Sequence, residues 1–203
     1  MKLYITPGSP YARMARVVVL EKKLDKQVEV IVAKTRAAGS PYYSINPSGR
    51  VPYLVRDDGV GMEESALICA YLDHLDGKPA FDLPPGDAGW EARRLEALAR
   101  SMMDGIAVWS RELGRPTNER SPTIVEHETR RSERFADVWE REIDHALMRG
   151  PLTLAQITLA CALGMETRNL YFQWRAGHPK LCAWYARISE RPSLAATLPA
   201  PLP

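Results

Sequence analysis

The segment from Thr6 to Arg13, TPGSPYAR, contains the serine whose chemistry the sequence indicates most directly. It follows a short apolar run at residues 2–5, and a serine followed by a proline is a strong start for a helix. The helix amides and the positive end of the helix dipole would then lie beside the Ser9 hydroxyl, in a turn that Gly8 keeps open. The segment therefore predicts an anion-binding site at Ser9, although a serine at such a position can also serve only as a helix cap.

The composition is that of an ordinary globular protein and excludes several classes of partner. The 203 residues are 45% hydrophobic, and 27 Lys and Arg residues are interleaved with 25 Asp and Glu residues, for a formal net charge of +2. Because no basic region stands out, we expect neither nucleic acid nor a membrane surface as a partner. The three cysteines have no paired spacing, and the sequence shows neither a signal segment nor an apolar run long enough to span a bilayer. These features predict a reduced protein of the cytoplasm.

The first 78 residues are predicted to form an α/β domain with a mixed sheet. Apolar alternation and helical periodicity indicate the element order β-α-β-α-β-β-α. The strands are predicted at residues 2–5, 27–32, 51–55 and 60–63, and the helices at 12–24, around 42–45 and from 64 to 77. In the second strand, Val28, Val30 and Val32 are expected to point inward. The crossover between the first two strands is long enough for them to pair in parallel.

A linker is predicted at residues 79–88, because prolines and Gly86 interrupt any helix or central strand there. Residues 89–203 are predicted to form an all-helical domain. Its first helix is expected to be long and amphipathic, at residues 90–113.

A second helix of this domain, at residues 154–163, is apolar nearly all round and is therefore expected to be central. A capping box is predicted at its start, in which Thr153 caps the helix and the side chain of Gln156 reaches back. Residues 169–173 are expected to lie within a helical run.

The order of the two domains, together with four short motifs, resembles that of the cytosolic glutathione S-transferase family. The motifs are Ser9-Pro10-Tyr11, the sequence NPSGRVP at residues 46–52, Glu64-Ser65, and LTLAQ at residues 152–156. The resemblance covers essentially the whole chain. It implies a thioredoxin-like first domain that holds glutathione, a helical second domain that helps to form the site for an electrophile, and assembly as a homodimer.

The resemblance assigns a glutathione-binding site to the first domain. It implies that the Val51–Pro52 peptide is cis and that the amide and carbonyl of Val51 pair with the cysteinyl backbone of glutathione, as a peptide adds to a sheet edge. Ser65 would bind the γ-glutamyl carboxylate, and Glu64 would bind the ammonium group beside it.

Two basic residues would hold the other end of the tripeptide. By the same resemblance, Arg50 and Lys34 would bind the glycine carboxylate, so that glutathione is held at both charged ends. Judged by residue type alone, Arg50 can equally be a plain surface charge, and Ser65 can be a simple helix cap.

The resemblance also implies a catalytic role for Ser9. In serine-type members of the family, a serine donates a hydrogen bond to the glutathione sulfur and favours the reactive thiolate. Lowering a thiol pKa from about 9 to about 7 requires roughly 2.7 kcal/mol. A hydrogen bond to a charged group supplies about 1.5–3 kcal/mol and a helix start roughly 0.3–1 kcal/mol, so no general base is needed.

Tyr4 is an alternative donor that ranks below Ser9. Glutaredoxins carry a cysteine where Ser9 stands, which argues against thiol–disulfide exchange.

The electrophile pocket is expected to be lined mainly from the long helix. The candidates are Tyr11, Met102, Met103, Ile106 and Trp109, with Trp174 as a further one. The same apolar stripe can instead be core. The four histidines have no spacing that suits a metal cluster, so no metal is expected.

The first functional hypothesis is a glutathione transferase that conjugates the thiolate to small, mostly apolar electrophiles by substitution or addition. Two alternatives stay open. One is a glutathione-binding or assembly module without turnover, and the other is a glutathione-dependent isomerase, dehalogenase or peroxidase on the same fold. Residue types alone do not name the acceptor, because apolar pockets select by shape.

Overall fold

The computed structural model describes residues 1–81, 83 and 85–201 of the chain. The chain divides into two compact units, Met1–Asp82 and Leu83–Pro203, which we call the amino-terminal unit and the helical unit. Residues 82 and 84 of the predicted linker, and residues 202 and 203 of the predicted helical domain, lie outside the described residues. No helix in the described part of the chain combines the length and the hydropathy needed to cross a membrane.

The described part of the amino-terminal unit forms a four-stranded mixed sheet with three helices, in the predicted order. The strands are β1 (Lys2–Ile5), β2 (Glu29–Val32), β3 (Tyr53–Val55) and β4 (Gly61–Met62), and the helices are α1 (Pro10–Glu21), α2 (Tyr42–Ile45) and α3 (Ser65–His74). The order across the sheet is β2-β1-β3-β4, with β1 parallel to β2 and the other pairs antiparallel. This is the thioredoxin-like arrangement that the resemblance implies.

The core of this unit follows from the alternation in β1 and the apolar faces of α1 and α3. Leu3 and its partner on β3, Leu54, are fully buried, and so are Ile68 and Leu72 on α3. Helices α1 and α3 pack against each other. Burying these side chains is the main force that holds the sheet and the two helices together.

The prediction that Val30 and Val32 point inward is wrong. Val28, just before β2, is buried, but Val30 and Val32 are 44% and 63% exposed. Both pair in register with buried residues of β1, Val30 with Leu3 and Val32 with Ile5. Strand β2 lies at the edge of the sheet, so its side chains have a neighbouring strand on one side only.

A buried charge cluster fixes the chain after α3. Both carboxylate oxygens of Asp73 accept hydrogen bonds at 2.8 Å, from the amides of Ala80 and Phe81. The ammonium group of Lys22 lies 3.3 Å from Asp73 and donates to Asp76 at 3.0 Å. Burial by itself lowers the pKa of Lys22, but hydrogen bonds and charge interactions with the two aspartates outweigh it and raise the pKa above its usual value.

The helical unit contains α4 to α9 among the residues that the structure describes. Their bounds are Asp87–Leu113 for α4, Pro122–Glu142 for α5, Ala146–Arg149 for α6, Leu154–Leu163 for α7, Pro179–Ser189 for α8 and Pro192–Thr197 for α9. The predicted long helix is confirmed, and it begins three residues earlier than expected. Every residue of α7 after its first is buried, which confirms that this helix is central.

Two local predictions in the helical unit need correction. Thr153 caps α7 as expected, since its hydroxyl accepts the Gln156 amide at 3.2 Å. The Gln156 side chain, however, donates to the carbonyls of Leu147 and Pro151, both at 2.8 Å, because those acceptors are supplied by the chain folded against the start of the helix. Residues 169–173 lie in turns between α7 and α8, not in a helix.

Candidate functional site

The sheet topology gathers the predicted site residues at one end of the amino-terminal unit. Strand β2 is parallel to β1, so the segments that follow both strands emerge at the same end. Strand β3 is antiparallel to β1 and starts at that end, and β4 is antiparallel to β3 and finishes there. The residues at this end are Ser9 after β1, Lys34 after β2, Arg50, Val51 and Pro52 before β3, and Glu64 and Ser65 after β4. We call this the loop end of the sheet.

Ser9 starts α1 in the manner that the sequence predicts. Its backbone is extended, with φ −81° and ψ 119°, Pro10 is the first helical residue, and its Oγ accepts the Ala12 amide at 3.2 Å. Ser9 is therefore a helix cap. The hydroxyl hydrogen has no acceptor among the residues that the structure describes, so capping leaves the donor available for a ligand.

The peptide before Val51 is held by two buried side chains. The Tyr42 hydroxyl donates to the Arg50 carbonyl at 2.5 Å, and the Asn46 amide donates to the same oxygen at 3.0 Å. Burial raises the pKa of the Tyr42 phenol, so this hydroxyl remains a donor at neutral pH. The Val51–Pro52 peptide is cis, as the resemblance implies.

Ser48 connects this loop to the turn before α3. Its hydroxyl donates to the carboxylate of Glu63 and accepts the Arg50 amide at 3.1 Å. The Ser48 amide in turn donates to Asn46 Oδ1 at 3.1 Å. The two loops that flank the start of β3 and the end of β4 are thus tied to one another by side chains.

The start of α3 carries a strained residue. Glu64 has φ 70° and ψ 118°, a left-handed conformation that costs about 1–3 kcal/mol for a non-glycine residue. It precedes Ser65, the first helical residue, which is buried. Glu64 makes no capping bond with its side chain, which is exposed. Such strain is found mostly where a side chain or a backbone group must face a ligand.

Three charged side chains at the loop end are available to a ligand. Lys34, Arg50 and Glu64 are exposed, and none of them forms an ion pair with a residue that the structure describes. Arg56 and Asp58, at the opposite end of the sheet, are instead paired with each other. Two such cations and one such anion suit a ligand with two carboxylates and one ammonium group.

The residues predicted to line the electrophile pocket differ in how far they are buried. Met102, Met103 and Ile106 are fully buried in α4 of the helical unit. Trp109 is also buried, and it lines a cavity of about 330 Å³ within that unit. Tyr11 lies on α1 and is half-buried.

Sequence reasoning missed the two side chains that hold the Arg50 carbonyl. Asn46 stands in the NPSGRVP motif, which is a signal for it, whereas Tyr42 lies in the predicted short helix around residues 42–45, where nothing in the sequence indicates this hydrogen bond. Within residues 1–81, 83 and 85–201, no group of three or more histidine, cysteine, aspartate or glutamate residues could hold a metal ion.

The comparisons with known proteins identify the family. The model described as "Glutathione S-transferase, N-terminal domain" matches residues 3–80. Over 201 residues the chain is 30% identical to the GST-like protein YibF of Escherichia coli (strain K12), and the match covers 98% of each chain. The chain belongs to the glutathione S-transferase family.

Solved structures of other family members agree with this assignment. A glutathione transferase family member from Pseudomonas fluorescens Pf-5, with bound S-(propanoic acid)-glutathione, is 33% identical with a TM-score of 0.85, over 98% of this chain and 99% of that one. A glutathione S-transferase from Methylobacillus flagellatus KT, with glutathione bound, is 31% identical with a TM-score of 0.84, over 99% of both chains. The thioredoxin-like unit and the helical unit together make the fold of the family.

Proposed function

We propose that this family member binds glutathione at the loop end of the sheet and conjugates the glutathione thiolate to small, mostly apolar electrophiles, as a serine-type glutathione transferase. The observation that carries the proposal is the convergence of Ser9 at that end with three charges that form no ion pair within the described part of the chain. Two structural relatives, from Pseudomonas fluorescens and Methylobacillus flagellatus, hold glutathione or a glutathione conjugate. The conjugate carries a carbon substituent on sulfur, which is the kind of product that such a transfer makes.

The charges match glutathione group by group. Arg50 and Lys34 bind the glycine carboxylate, and Glu64 binds the γ-glutamyl ammonium group. Ser65 binds the γ-glutamyl carboxylate at the start of α3, where the helix dipole favours an anion. The Val51 amide and carbonyl pair with the cysteinyl backbone, and this geometry depends on the loop that Tyr42 and Asn46 hold.

The reaction needs a thiolate, and Ser9 supplies the group that stabilises it. The thiol proton leaves to water, and the Ser9 hydroxyl donates a hydrogen bond to the sulfur anion. The sulfur lone pair then forms a bond to the electrophilic carbon. In a substitution, the leaving group departs with its bonding electrons, and in an addition, the resulting carbanion takes a proton from water.

The residues proposed to contact the acceptor are Tyr11, which is half-buried on α1, and four residues of α4 that are buried and would have to move to touch it, namely Met102, Met103, Ile106 and Trp109. We also expect a homodimer in the cytoplasm, and light scattering of the purified protein measures the assembly directly.

The proposal is tested by measuring glutathione binding and conjugation to a generic aryl halide. Arg50→Gln should weaken the binding of glutathione by about tenfold, but it should not change the binding of an analogue whose glycine carboxylate is an amide. The matched control is Arg56→Gln, which removes a guanidinium from the opposite end of the sheet and should change neither. Equal losses in the two variants would contradict the proposed site.

The same measurements separate the alternative functions. Binding of glutathione without turnover on any electrophile would support a binding or assembly module and would overturn the transferase. Turnover with peroxides or with isomerisable substrates, but not with aryl halides or activated alkenes, would point instead to a different glutathione-dependent reaction on this fold.

A further inference from the structure

The backbone of Arg50 is held on both sides by side chains. Its carbonyl accepts hydrogen bonds from Tyr42 and Asn46, and its amide donates to Ser48 Oγ at 3.1 Å. The Ser48 amide donates to Asn46 Oδ1 at 3.1 Å, so these residues form one connected network. The bonds join residues 42–50 to each other, and they therefore fix the shape of this loop but not its distance from the rest of the site.

Glu63 joins this network from the turn before α3. Its carboxylate accepts a hydrogen bond from the Ser48 hydroxyl. A serine hydroxyl has a single hydrogen, so donation to Glu63 orients the group and leaves its lone pairs for the Arg50 amide. A charged acceptor makes the bond roughly twice as strong as a neutral one and polarises the hydroxyl, which then accepts more strongly. The position of Glu63 is thereby transmitted through Ser48 to Arg50.

The charge of Glu63 also acts on a second member of the network. Burial is the largest cause that raises the pKa of the Tyr42 phenol, and the negative charge of Glu63 raises it further. The phenol stays protonated and donates to the Arg50 carbonyl. Glu63 thus supports the groups on both sides of Arg50.

The turn that carries Glu63 has little other support. Strand β4, which precedes the turn, consists of two residues at the edge of the sheet and is paired on one side, with β3. Glu64, which follows, has φ 70° and makes no capping bond with its side chain. The hydrogen bond between Glu63 and Ser48 therefore bears directly on where Glu64 and Ser65 lie.

The two loops that this hydrogen bond joins carry the groups proposed for opposite ends of glutathione. Arg50 belongs to the loop for the glycine carboxylate, whereas Glu64 and Ser65 belong to the loop for the γ-glutamyl group. Glutathione contacts both loops at once, so its affinity depends on how well the distance between them is set before it binds.

We propose that Glu63 is a positioning residue for glutathione, which acts through the Ser48 hydroxyl to hold Arg50 at a fixed distance from Glu64 and Ser65. The role of Glu63 in binding rests on the proposed function. Glu63 itself touches neither the sulfur nor the electrophile, so it affects the binding of glutathione and not the chemical step.

Steady-state kinetics and equilibrium binding of glutathione to the full-length protein test this role. Glu63→Ala and Ser48→Ala should each raise the dissociation constant and the KM for glutathione by about three- to tenfold, with little change in kcat. The double variant should be no weaker than the weaker single variant, because both changes break the same chain of hydrogen bonds. Glu63→Gln retains an oxygen acceptor and should recover most of the wild-type affinity.

The sign of the effect separates positioning from simple electrostatics. Glutathione carries two carboxylates and one ammonium group, so its net charge is negative, and removal of a nearby anion would by charge alone strengthen its binding. Positioning predicts the opposite. Glu29→Ala is the matched control, because it removes an exposed carboxylate at the far end of β2 and should leave glutathione binding unchanged.

Hydrogen exchange of the Arg50 amide, measured by NMR without ligand, tests the network independently of glutathione. Exchange should be faster by about threefold or more in Glu63→Ala and in Ser48→Ala, and close to wild type in Glu63→Gln and Glu29→Ala. Urea unfolding should shift little in any of these variants, because both Glu63 and Ser48 are exposed.

Unchanged Arg50 exchange in Glu63→Ala, tighter glutathione binding, or additive losses in the double variant would each overturn the role of Glu63. A wild-type protein that does not bind glutathione would instead overturn the proposed function. In that case, faster Arg50 exchange in Glu63→Ala would still support the link from Glu63 to Arg50.

Discussion

Replacing Ser9 by alanine removes two interactions that can be measured separately. One is the cap of α1, in which Oγ accepts the Ala12 amide at 3.2 Å. The other is the hydrogen bond that the hydroxyl is proposed to donate to the glutathione sulfur. The chain provides an internal control, because Ser121 starts α5 in nearly the same way, with φ −80°, ψ 112°, a following proline, and a hydrogen bond from the Ile124 amide at 3.4 Å.

The two interactions differ in their expected energies, so the loss of stability and the rise in the thiol pKa can be estimated separately. Loss of a serine cap costs about 1 kcal/mol of stability, so Ser9→Ala and Ser121→Ala should destabilise the protein by similar amounts. Loss of a hydrogen bond to a charged sulfur costs about 1.5–3 kcal/mol, which is a rise of roughly 1–2 units in the pKa of the bound thiol. Ser9 is only half-buried, so we expect the lower half of that range. At a pH below the wild-type thiol pKa, conjugation should slow by roughly tenfold or somewhat more.

The assay is a pH titration of the glutathione complex, followed by the ultraviolet absorbance of the thiolate, together with urea unfolding of each variant. Ser9→Ala should raise the thiol pKa, Ser121→Ala should not, and Ser9→Thr should restore the wild-type value because threonine retains the hydroxyl. An unchanged thiol pKa in Ser9→Ala, or an equal rise in Ser121→Ala, would refute the role of Ser9 as a donor to sulfur. The fold and its helix caps would be unaffected by that result.

Three further predictions concern the support of the site and the amino-terminal unit. Tyr42→Phe frees the Arg50 carbonyl from one of its two donors and should raise the KM for glutathione several-fold with little change in kcat, as measured by steady-state kinetics. Asp73→Ala should lower the free energy of unfolding in urea by about 2–4 kcal/mol, because it leaves two amides without their acceptor, while the Lys22 ammonium keeps Asp76 and the Lys78 carbonyl as partners. The hydrogen bond from Lys22 lowers the pKa of Asp76 below 3.8, so the stability difference between wild type and Asp76→Asn should be present above that pH. It should disappear as the pH falls through the lowered pKa, which urea titrations at several pH values measure.

Each of these predictions has an outcome that contradicts it. Tyr43→Phe removes a hydroxyl one residue away from Tyr42, so an equal rise in KM for that variant would show that the Arg50 carbonyl is not involved. Asp76 is 44% exposed, and a loss of stability in Asp76→Ala as large as that in Asp73→Ala would mean that burial is not the cause. A difference between wild type and Asp76→Asn that stays constant at acid pH would show that Asp76 is not the titrating group.

The sequence by itself was sufficient for features that depend on neighbouring residues. Ser9-Pro10 and Thr153 cap helices where their residue types predict, because a cap forms between groups three residues apart. The order of strands and helices also follows from local periodicity, and the run of apolar residues in α7 correctly predicts a central helix.

Only the tertiary structure decided features that depend on how segments of the chain pack against each other. Val30 and Val32 alternate like buried strand residues, yet they are exposed because β2 lies at the sheet edge. The Gln156 side chain bonds to carbonyls from another turn of the chain, not to its own cap. The hydrogen bond that the Arg50 carbonyl accepts from the Tyr42 hydroxyl likewise depends on where Tyr42 packs. Sequence patterns record the preferences of each segment, but strand neighbours and long-range acceptors are set by which segments pack together.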